Sequence, residues 1–291
     1  MSRTRLNETS HLLLGLLLSA VVSCGDTESE ELAQEGHFEA LTYNVAGLPQ
    51  GLSQSNPEEY TALISPLLNA YDLVLVQEDF TYHDDLDDYV DHPYQSEPAT
   101  DYPTLVQDGL NRFSRFPWTN FQRERWEECN GGANDGASDC MASKGFTVAR
   151  TTFAAGIEVD VYNHHAEAGG GPADDEARAA GFAQFIAFVK AYSGEDRAII
   201  FGGDTNLHRS DPEDAPLIDL VIRELGLTDV AQELDDTEET IDRFFYRSDS
   251  RVTIEPTSWR FASEFVDDEG RDLSDHRAVH VGFSWKRISP N

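Results

Sequence analysis

Four short polar motifs lie at the ends of predicted strands and are spread over the whole chain. They contain Asn44 in LTYNVAGLP, Glu78 in LVLVQEDF, Asp204 and Asn206 in IIFGGDTNLH, and Asp275 and His276 in LSDHRAV. Three of these motifs follow apolar runs that are typical of buried strands. A carboxylate at the end of a buried strand is unfavourable unless a metal ion or a reacting phosphate stabilises it. We therefore expect the fold to gather these residues at one site.

Strand-like and helix-like segments alternate from residue 37 onward. Strands are predicted at 37–45 and 72–77, and then at 109–117 and 119–126 on either side of a proline turn. Two strands at 144–150 and 156–164 are expected to pair with each other. Further strands are predicted at 197–204, 241–247, 251–259 and 278–285. The clearest helix covers residues 173–193, with four large apolar side chains on one face: Phe182, Phe185, Ile186 and Val189. Further helices are predicted at 57–70, interrupted by Pro66, and at 216–225. The pattern indicates an α/β fold of two packed sheets with helices outside, in one domain from about residue 37 to 287.

The chain is strongly acidic. Its 291 residues carry a formal net charge of −33. This charge argues against loose, charge-driven binding to nucleic acid. A local basic groove is still compatible with it, because salt screens exposed charges more than about 8 Å apart. The densest basic cluster consists of Arg112, Arg115, Arg123 and Arg125.

The N-terminus has the pattern of an export signal. Arg3 and Arg5 precede an apolar run, Leu12–Val22, that is too short to cross a bilayer as a helix. The run leads into Val-Ser-Cys24, which resembles the bacterial lipoprotein processing box. We therefore predict a signal peptide at 1–23, a lipidated Cys24, an acidic tether at 24–36, and an exported protein anchored to a bacterial membrane. An ordinary signal peptide with a chance cysteine is the alternative.

The other two cysteines bracket a segment that cannot form a core. Cys129 and Cys140 enclose NGGANDGASD, which is rich in Gly, Asn and Asp. A disulfide, two free thiols and a metal pair are all compatible with this spacing. No His or further Cys lies nearby in the sequence to complete a zinc site, so we expect a disulfide.

Each strand-end motif has a chemical and a structural interpretation. Glu78 suits a Mg²⁺ ion, which is often held by one or two carboxylates, but a strand-end Glu also caps backbone amides. Asp204 and Asn206 point the same way in an extended chain and could hold a water and a phosphate, or form a common turn. Gly202 and Gly203 would allow a ligand to approach the backbone closely.

The histidine motifs add groups that can transfer protons. His276 titrates near neutral pH, and Asp242 is a better candidate than its neighbour Asp275 to orient it. On a continuous strand at 157–165, His165 and His164 point to opposite faces. We expect His165 to face a phosphate and His164 to be packed or exposed.

Together, these motifs resemble the endonuclease/exonuclease/phosphatase superfamily, also called deoxyribonuclease-I-like, over residues 37–285. The resemblance implies a four-layer sandwich of two mixed sheets and a Mg²⁺-dependent phosphoesterase, with Mn²⁺ or Ca²⁺ as alternative ions. By position, it implies that Asn44, Glu78 and Asp275 lie near the metal and that His165 and Asn206 contact the phosphate. It also implies that Asp204 acts on the attacking water and that Asp242 supports His276. Two positions depart from the family pattern: His164, where Thr is frequent, and Arg243, where Tyr is frequent.

Three segments narrow the resemblance to bacterial sphingomyelinases: LTYNVAGLP, DGLNRFSRFP and SKGFTVAR. This similarity implies a phospholipid headgroup phosphodiesterase, which we expect to be a monomer. An extracellular nuclease is the first alternative, and a basic stripe beside the site would favour it. The second is a non-catalytic surface protein that binds cations through the acidic stretches at 84–91 and 235–242, although neither has the spacing of an EF-hand loop.

Overall fold

Two six-stranded β-sheets pack face to face in the computed structural model, which describes residues 32–100, 104, 106–131, 139–236 and 238–289. In chain order, the strands are β1 (Glu35–Asn44), β2 (Leu73–Gln77), β3 (Tyr94–Gln95), β4 (Asn111–Ser114), β5 (Trp118–Arg125), β6 (Gly145–Ala154), β7 (Ile157–His165), β8 (Ile199–Asp204), β9 (Thr228–Asp229), β10 (Asp242–Arg247), β11 (Val252–Phe261) and β12 (Val279–Arg287). The helices are α1 (Pro57–Leu67), α2 (His83–Asp87), α3 (Pro172–Tyr192), α4 (Ala215–Leu225) and α5 (Val230–Glu233), with 3-10 turns at Leu68–Ala70 and Asp139–Met141.

Both sheets are mixed. The first has the strand order β11-β12-β1-β2-β4-β3, and the second has β5-β6-β7-β8-β10-β9. In each sheet one central pair is parallel, β1 with β2 and β7 with β8, and the other pairs are antiparallel. The carboxyl ends of two parallel strands lie at the same edge of a sheet, so each parallel pair brings two strand-end motifs together.

Apolar side chains from both sheets fill the space between them. Phe38 of β1 stacks on Phe153 of β6, with ring centroids 4.3 Å apart. Leu75, Val161 and Phe244 contribute to the same buried cluster. Burial of each such side chain contributes about 1.5–3 kcal/mol, so this cluster holds the sheets together.

Helices cover the outer faces and complete four layers. The predicted apolar face of α3 is buried against the second sheet, where Phe185 and Val189 are almost inaccessible to solvent. On the other side, α1 packs on the first sheet through Tyr60 and Ile64. The four-layer sandwich predicted from the sequence is confirmed. No helix in the described ranges is long and apolar enough to span a bilayer.

Some local predictions differ from the structure. Pro66 does not interrupt its helix: it lies in the last turn of α1, before the 3-10 turn. As predicted, Pro117 lies in a turn between two strands, and this turn carries the chain from β4 in the first sheet to β5 in the second. β1 begins at Glu35, so the last two residues of the predicted tether belong to a strand.

The predictions for the N-terminus mostly concern residues outside the described ranges. The signal peptide at 1–23, Cys24 and most of the tether are among them. The predicted disulfide is confirmed, since the sulfurs of Cys129 and Cys140 are bonded.

Candidate active site

The sheet topology brings the strand-end motifs to one end of the sandwich. Asn44 ends β1 beside Gln77, the last residue of the parallel strand β2, and Glu78 follows it. In the second sheet, His165 at the end of β7 pairs in register with Asp204 at the end of β8. Strand β10 is antiparallel to β8, so its first residue, Asp242, lies beside Asp204.

The two halves of the site meet at the side chain of Asn44. Its Nδ2 lies 3.2 Å from Oε1 of Glu78 and 3.2 Å from Oδ2 of Asp204, and 3.4 Å from Nε2 of His276. Its Oδ1 accepts a hydrogen bond of 3.0 Å from the backbone N–H of Ala46, which fixes the orientation of the amide. Asn44 therefore donates to the acidic residues. To act as the metal ligand that the resemblance implies, its oxygen would have to turn toward them.

His276 and Asp242 form a close pair. Nδ1 of His276 lies 2.8 Å from Oδ2 of Asp242, and its Nε2 lies 3.8 Å from Oδ2 of Asp204. Burial alone would lower the pKa of His276, but the charge and hydrogen bond of Asp242, with the charge of Asp204, raise it to about 10. At neutral pH, His276 is therefore a cation that points one N–H at Asp242 and the other into the site.

Asp204 lies deepest among the carboxylates. Its burial and the charge of Asp242 raise its pKa to about 6. Its Oδ1 accepts a hydrogen bond of 2.9 Å from the backbone N–H of Asn206. Asn206 adopts a left-handed conformation, with φ of 48°, and its Nδ2 donates to the carbonyl of Ala166 at 3.1 Å.

His165 faces the site and His164 does not. Nε2 of His165 lies 3.5 Å from Oδ2 of Asp204 and 3.7 Å from Oε1 of Glu78. Burial, then the charges of Lys144 and His276, hold the pKa of His165 well below its usual value, so it is neutral at pH 7.

His164 points to the opposite face of β7. It stacks on Phe182 of α3 with ring centroids 4.8 Å apart, and burial lowers its pKa to about 3. The opposite orientations predicted for the two histidines are therefore confirmed.

Glu78 is held in an uncommon backbone conformation. Its φ is 57°, and its burial raises its pKa against the opposing effects of Lys144 and Asn44. A left-handed conformation costs an ordinary residue roughly 1–2 kcal/mol, so the neighbouring structure must hold it there.

Asp275 lies at the margin of this cluster. Its side chain is exposed, and its carboxylate lies 3.4 Å from the hydroxyl of Ser274. Ser274 itself donates a hydrogen bond of 2.7 Å to the carbonyl of Asn44 and so fastens the loop that carries His276 to the end of β1. Of the predicted site residues, Asp275 is thus the one with no described contact to the central carboxylates.

The two glycines before Asp204 serve packing and not a ligand, contrary to the sequence interpretation. A Cβ on Gly203, whose φ is 146°, would lie 2.1 Å from the carbonyl oxygen of His164. A Cβ on Gly202 would lie 2.5 Å from the ring of Phe244. Protein atoms already occupy the space that these glycines leave.

The sequence reasoning missed one buried cation near the site. Lys144 is 7% exposed and lies just before β6, at the same end of the sheet as His165. Its charge opposes the rise in the pKa values of Glu78 and Asp204. The motif SKGFTVAR was a usable signal: Gly145 must be Gly, because a Cβ there would lie 2.0 Å from the carbonyl oxygen of Glu124.

Two of the four arginines in the densest cluster are used inside the protein, and Arg115 and Arg125 are exposed. Arg112 is fully buried. Nη1 of Arg123 lies 2.8 Å from Oδ1 of Asp108, and the exposed Arg115 pairs with Asp91 at 2.9 Å. These contacts do not provide the free basic stripe that would favour a nuclease.

The cluster could hold a divalent cation. Three ligand atoms lie within 4.8 Å of one another, one each from Asp204, Asp242 and His276. Oδ1 of Asp242 is buried without a hydrogen-bond partner among the described residues, and Glu78 brings a third carboxylate. Hard cations such as Mg²⁺ prefer carboxylate oxygens, and a protonated His276 cannot be a ligand, so the carboxylates are the better donors.

No protein-family model matches the chain. A sphingomyelinase of Mycobacterium tuberculosis is 34% identical over an alignment 292 positions long, which covers 92% of this chain and 56% of that protein. The chain thus spans about half the length of the curated relatives it matches.

Solved structures share the fold at lower sequence identity. Sphingomyelinase C from Streptomyces griseocarneus superposes with a TM-score of 0.63, 20% identity, and coverage of 85% of this chain and 99% of that one. A beta toxin mutant of Staphylococcus aureus with bound magnesium ions superposes with a TM-score of 0.62 at 18% identity, and the match covers 84% of this chain and 99% of that one. D. rerio TDP2 complexed with a single-strand DNA product superposes with a TM-score of 0.63 at 18% identity, and the match covers 85% of this chain and 99% of that one. The chain is therefore a homologue of sphingomyelinase with the deoxyribonuclease-I-like fold.

Proposed function

We propose that this protein is a metal-dependent phosphodiesterase that hydrolyses a phospholipid headgroup, with sphingomyelin as the substrate to test first. One observation supports the proposal above all others. Neutral and cationic donors (Asn44, His165 and His276) surround the carboxylates of Glu78 and Asp204 at one end of both sheets. This arrangement suits the hydrolysis of a phosphate ester, where negative charge develops on oxygens that need donors.

The residues fit a bound divalent cation, and we propose Mg²⁺ held by Glu78. Asn44 and Asp275 remain predicted ligands, and both would have to reorient, since Oδ1 of Asn44 binds Ala46 and Asp275 is exposed. When bound, the cation would offset negative charge on the phosphate oxygens.

Asp204 is placed to orient and deprotonate the attacking water. With a pKa of about 6, it is mostly ionised at neutral pH yet basic enough to accept a proton. Its Oδ1 is engaged by the backbone of Asn206, while its Oδ2 faces Asn44 and His276. Water would attack in line, without a covalent intermediate.

The donors would bind the phosphate. His276 stays protonated through its contact with Asp242, so its Nε2–H can donate to a phosphate oxygen or to the leaving group. Neutral His165 presents Nε2 toward the same space. Asn206 gives one N–H to Ala166 and keeps a second for the phosphate.

Sphingomyelin is favoured over nucleic acid by the homology and by charge. The mycobacterial relative is a sphingomyelinase, and the net charge of −33 would repel a polyanion unless a basic stripe opposed it. Two arginines that could have formed such a stripe are used within the protein: Arg112 is fully buried, and the half-buried Arg123 pairs with Asp108.

A substrate panel tests the proposal. The full chain is assayed for phosphocholine release from sphingomyelin micelles, and in parallel for cleavage of DNA and RNA, with Mg²⁺ and with EDTA. We expect Mg²⁺-dependent phosphocholine release. DNA cleavage without phosphocholine release would support the nuclease alternative, and no activity in any assay would support the non-catalytic one.

We further propose that the protein is exported and anchored by a lipid on Cys24. The motif at residues 21–24 supports this proposal. Metabolic labelling with a radioactive fatty acid in a bacterial host should label the wild type and spare Cys24→Ala. Equal labelling of the two proteins, or none of either, would contradict the anchor.

A further inference from the structure

A chain of buried polar side chains connects the second sheet to the residue that follows Glu78. Oδ2 of Asp79 accepts a hydrogen bond of 2.7 Å from Nδ2 of Asn111 and lies 2.6 Å from Nδ1 of His83. Oδ1 of Asn111 accepts one of 2.6 Å from Nη2 of Arg123. Asp79 and Asn111 are 4% and 1% exposed, so these bonds are shielded from competing water.

Arg123 anchors the far end of this chain. Its Nη1 lies 2.8 and 2.9 Å from the two carboxylate oxygens of Asp108 and 2.7 Å from the carbonyl oxygen of Leu110. Arg123 belongs to β5 in the second sheet, whereas Asn111 begins β4 in the first. The guanidinium therefore ties β5, the edge strand of the second sheet, to β4 of the first sheet, which pairs with the strand that precedes Glu78.

Backbone contacts carry this anchoring to Glu78. The N–H of Asp79 donates to the carbonyl of Gly109 at 3.1 Å. The carbonyl of Glu78 accepts from Gly47 at 3.0 Å and from Phe80 at 2.8 Å. Between these hydrogen bonds, the backbone of Glu78 has a left-handed conformation. A residue in that conformation tends to relax when the contacts that hold its neighbours are lost.

We infer that Arg123, Asn111 and Asp79 are positioning residues that hold the Glu78 carboxylate in place for a divalent cation. None of the three is a proposed cation ligand. They act through the backbone of Glu78, as partners of metal ligands generally act on ligand orientation. The inference rests on the proposed function in one respect, the binding of a cation by Glu78, and does not depend on the substrate.

A second half-buried arginine–aspartate pair in the protein provides a matched control. Nε of Arg150 lies 2.9 Å from Oδ1 of Asp160, and both residues lie in the second sheet. The side chains of Arg123 and Arg150 are 13% and 20% exposed, and those of Asp108 and Asp160 are 4% and 0%. Loss of either pair should affect stability, but only the Arg123 pair is connected to Glu78.

The test measures Mg²⁺ binding by calorimetry with the full chain, at a temperature where circular dichroism shows every variant folded. Arg123→Met and Asn111→Leu should each weaken Mg²⁺ binding about 10–100-fold, the effect usual for partners of metal ligands. Arg150→Met should leave the affinity unchanged. Equal affinity in the wild type, Arg123→Met and Asn111→Leu would overturn the inference, as would an equal loss in Arg150→Met.

A conservative variant and an activity assay separate this inference from the proposed function. Asp79→Asn keeps an oxygen acceptor for Asn111 and should retain most of the Mg²⁺ affinity that Asp79→Ala loses. Equal loss in both would contradict the hydrogen-bond argument. The wild type could bind Mg²⁺, and the variants could show the expected affinities, while no phosphocholine is released. That result would refute sphingomyelin as the substrate and leave the positioning role intact. Wild type that binds no divalent cation would refute both.

Discussion

The two faces of β7 show how much a residue's layer decides its chemistry. His165 and His164 are adjacent in the sequence and both fully buried, and burial lowers both pKa values. His165 faces the other sheet and meets Asp204, whereas His164 faces α3 and stacks on Phe182. We call the first environment the inner polar layer and the second the outer aromatic layer. Identical side chains thus face the proposed site in one layer and pack against aromatic rings in the other.

The largest expected effect is on turnover and belongs to the inner polar layer. His276→Ala removes the cation held by Asp242 and should lower phosphocholine release about 10²–10⁴-fold, since a positioned proton donor contributes on that order. The measurement is kcat with sphingomyelin micelles. Circular dichroism should show the variant folded, but its thermal unfolding should shift to a lower temperature, because the buried Asp242 loses the cation with which it pairs. Retention of activity would remove His276 from the mechanism.

The next effect is on stability and belongs to the outer aromatic layer. Phe182 of α3 is 1% exposed, so Phe182→Ala should lower the free energy of unfolding by about 3–5 kcal/mol through lost burial and the cavity left behind. Urea unfolding measures it. Turnover per folded molecule should remain near that of the wild type at low temperature. A large loss of turnover in the folded variant would mean that the two layers are coupled.

The histidine pair itself gives the most direct test of the comparison. His165→Ala should lower turnover about 10²-fold or more, because a donor to the developing charge is lost. His164→Phe keeps a ring of similar size in an aromatic environment and should leave turnover nearly unchanged. Similar losses in both variants would contradict the separation of layers, and a larger loss in His164→Phe would reverse it.

The smallest effect is a pH dependence of stability from the outer layer. His164 has a pKa of about 3 when folded, lowered by burial, against an ordinary value of 6.5. Below pH 6.5 the unfolded chain binds a proton that the folded chain does not, so stability falls as the pH drops, until about pH 3. Between pH 7 and 5.5, His164 should therefore contribute a loss of about 1.4 kcal/mol. Urea unfolding at both values should show a smaller loss in His164→Phe; equal losses would contradict this account.

The sequence supported most of the fold because its patterns are strong and local. The apolar face of α3 and the buried runs before Glu78 and Asp204 predict their elements without tertiary information. The predictions that were wrong concern how single residues fit into their own element and against neighbouring elements. Pro66 fits within the last turn of a helix, and Gly202 and Gly203 serve the packing of Phe244 and His164.

The sequence by itself identified the candidate site residues, because polar groups at the ends of buried strands stand out against apolar neighbours. It also determined that His165 and His164 face opposite ways, since side chains alternate along a strand. Only the tertiary structure decided how these groups meet. Asn44 bridges Glu78 and Asp204 through parallel pairing in two different sheets, while Arg123 is directed into the protein and not toward a ligand. Such contacts join residues far apart in the chain, and their geometry follows from sheet order and register, which no local pattern encodes.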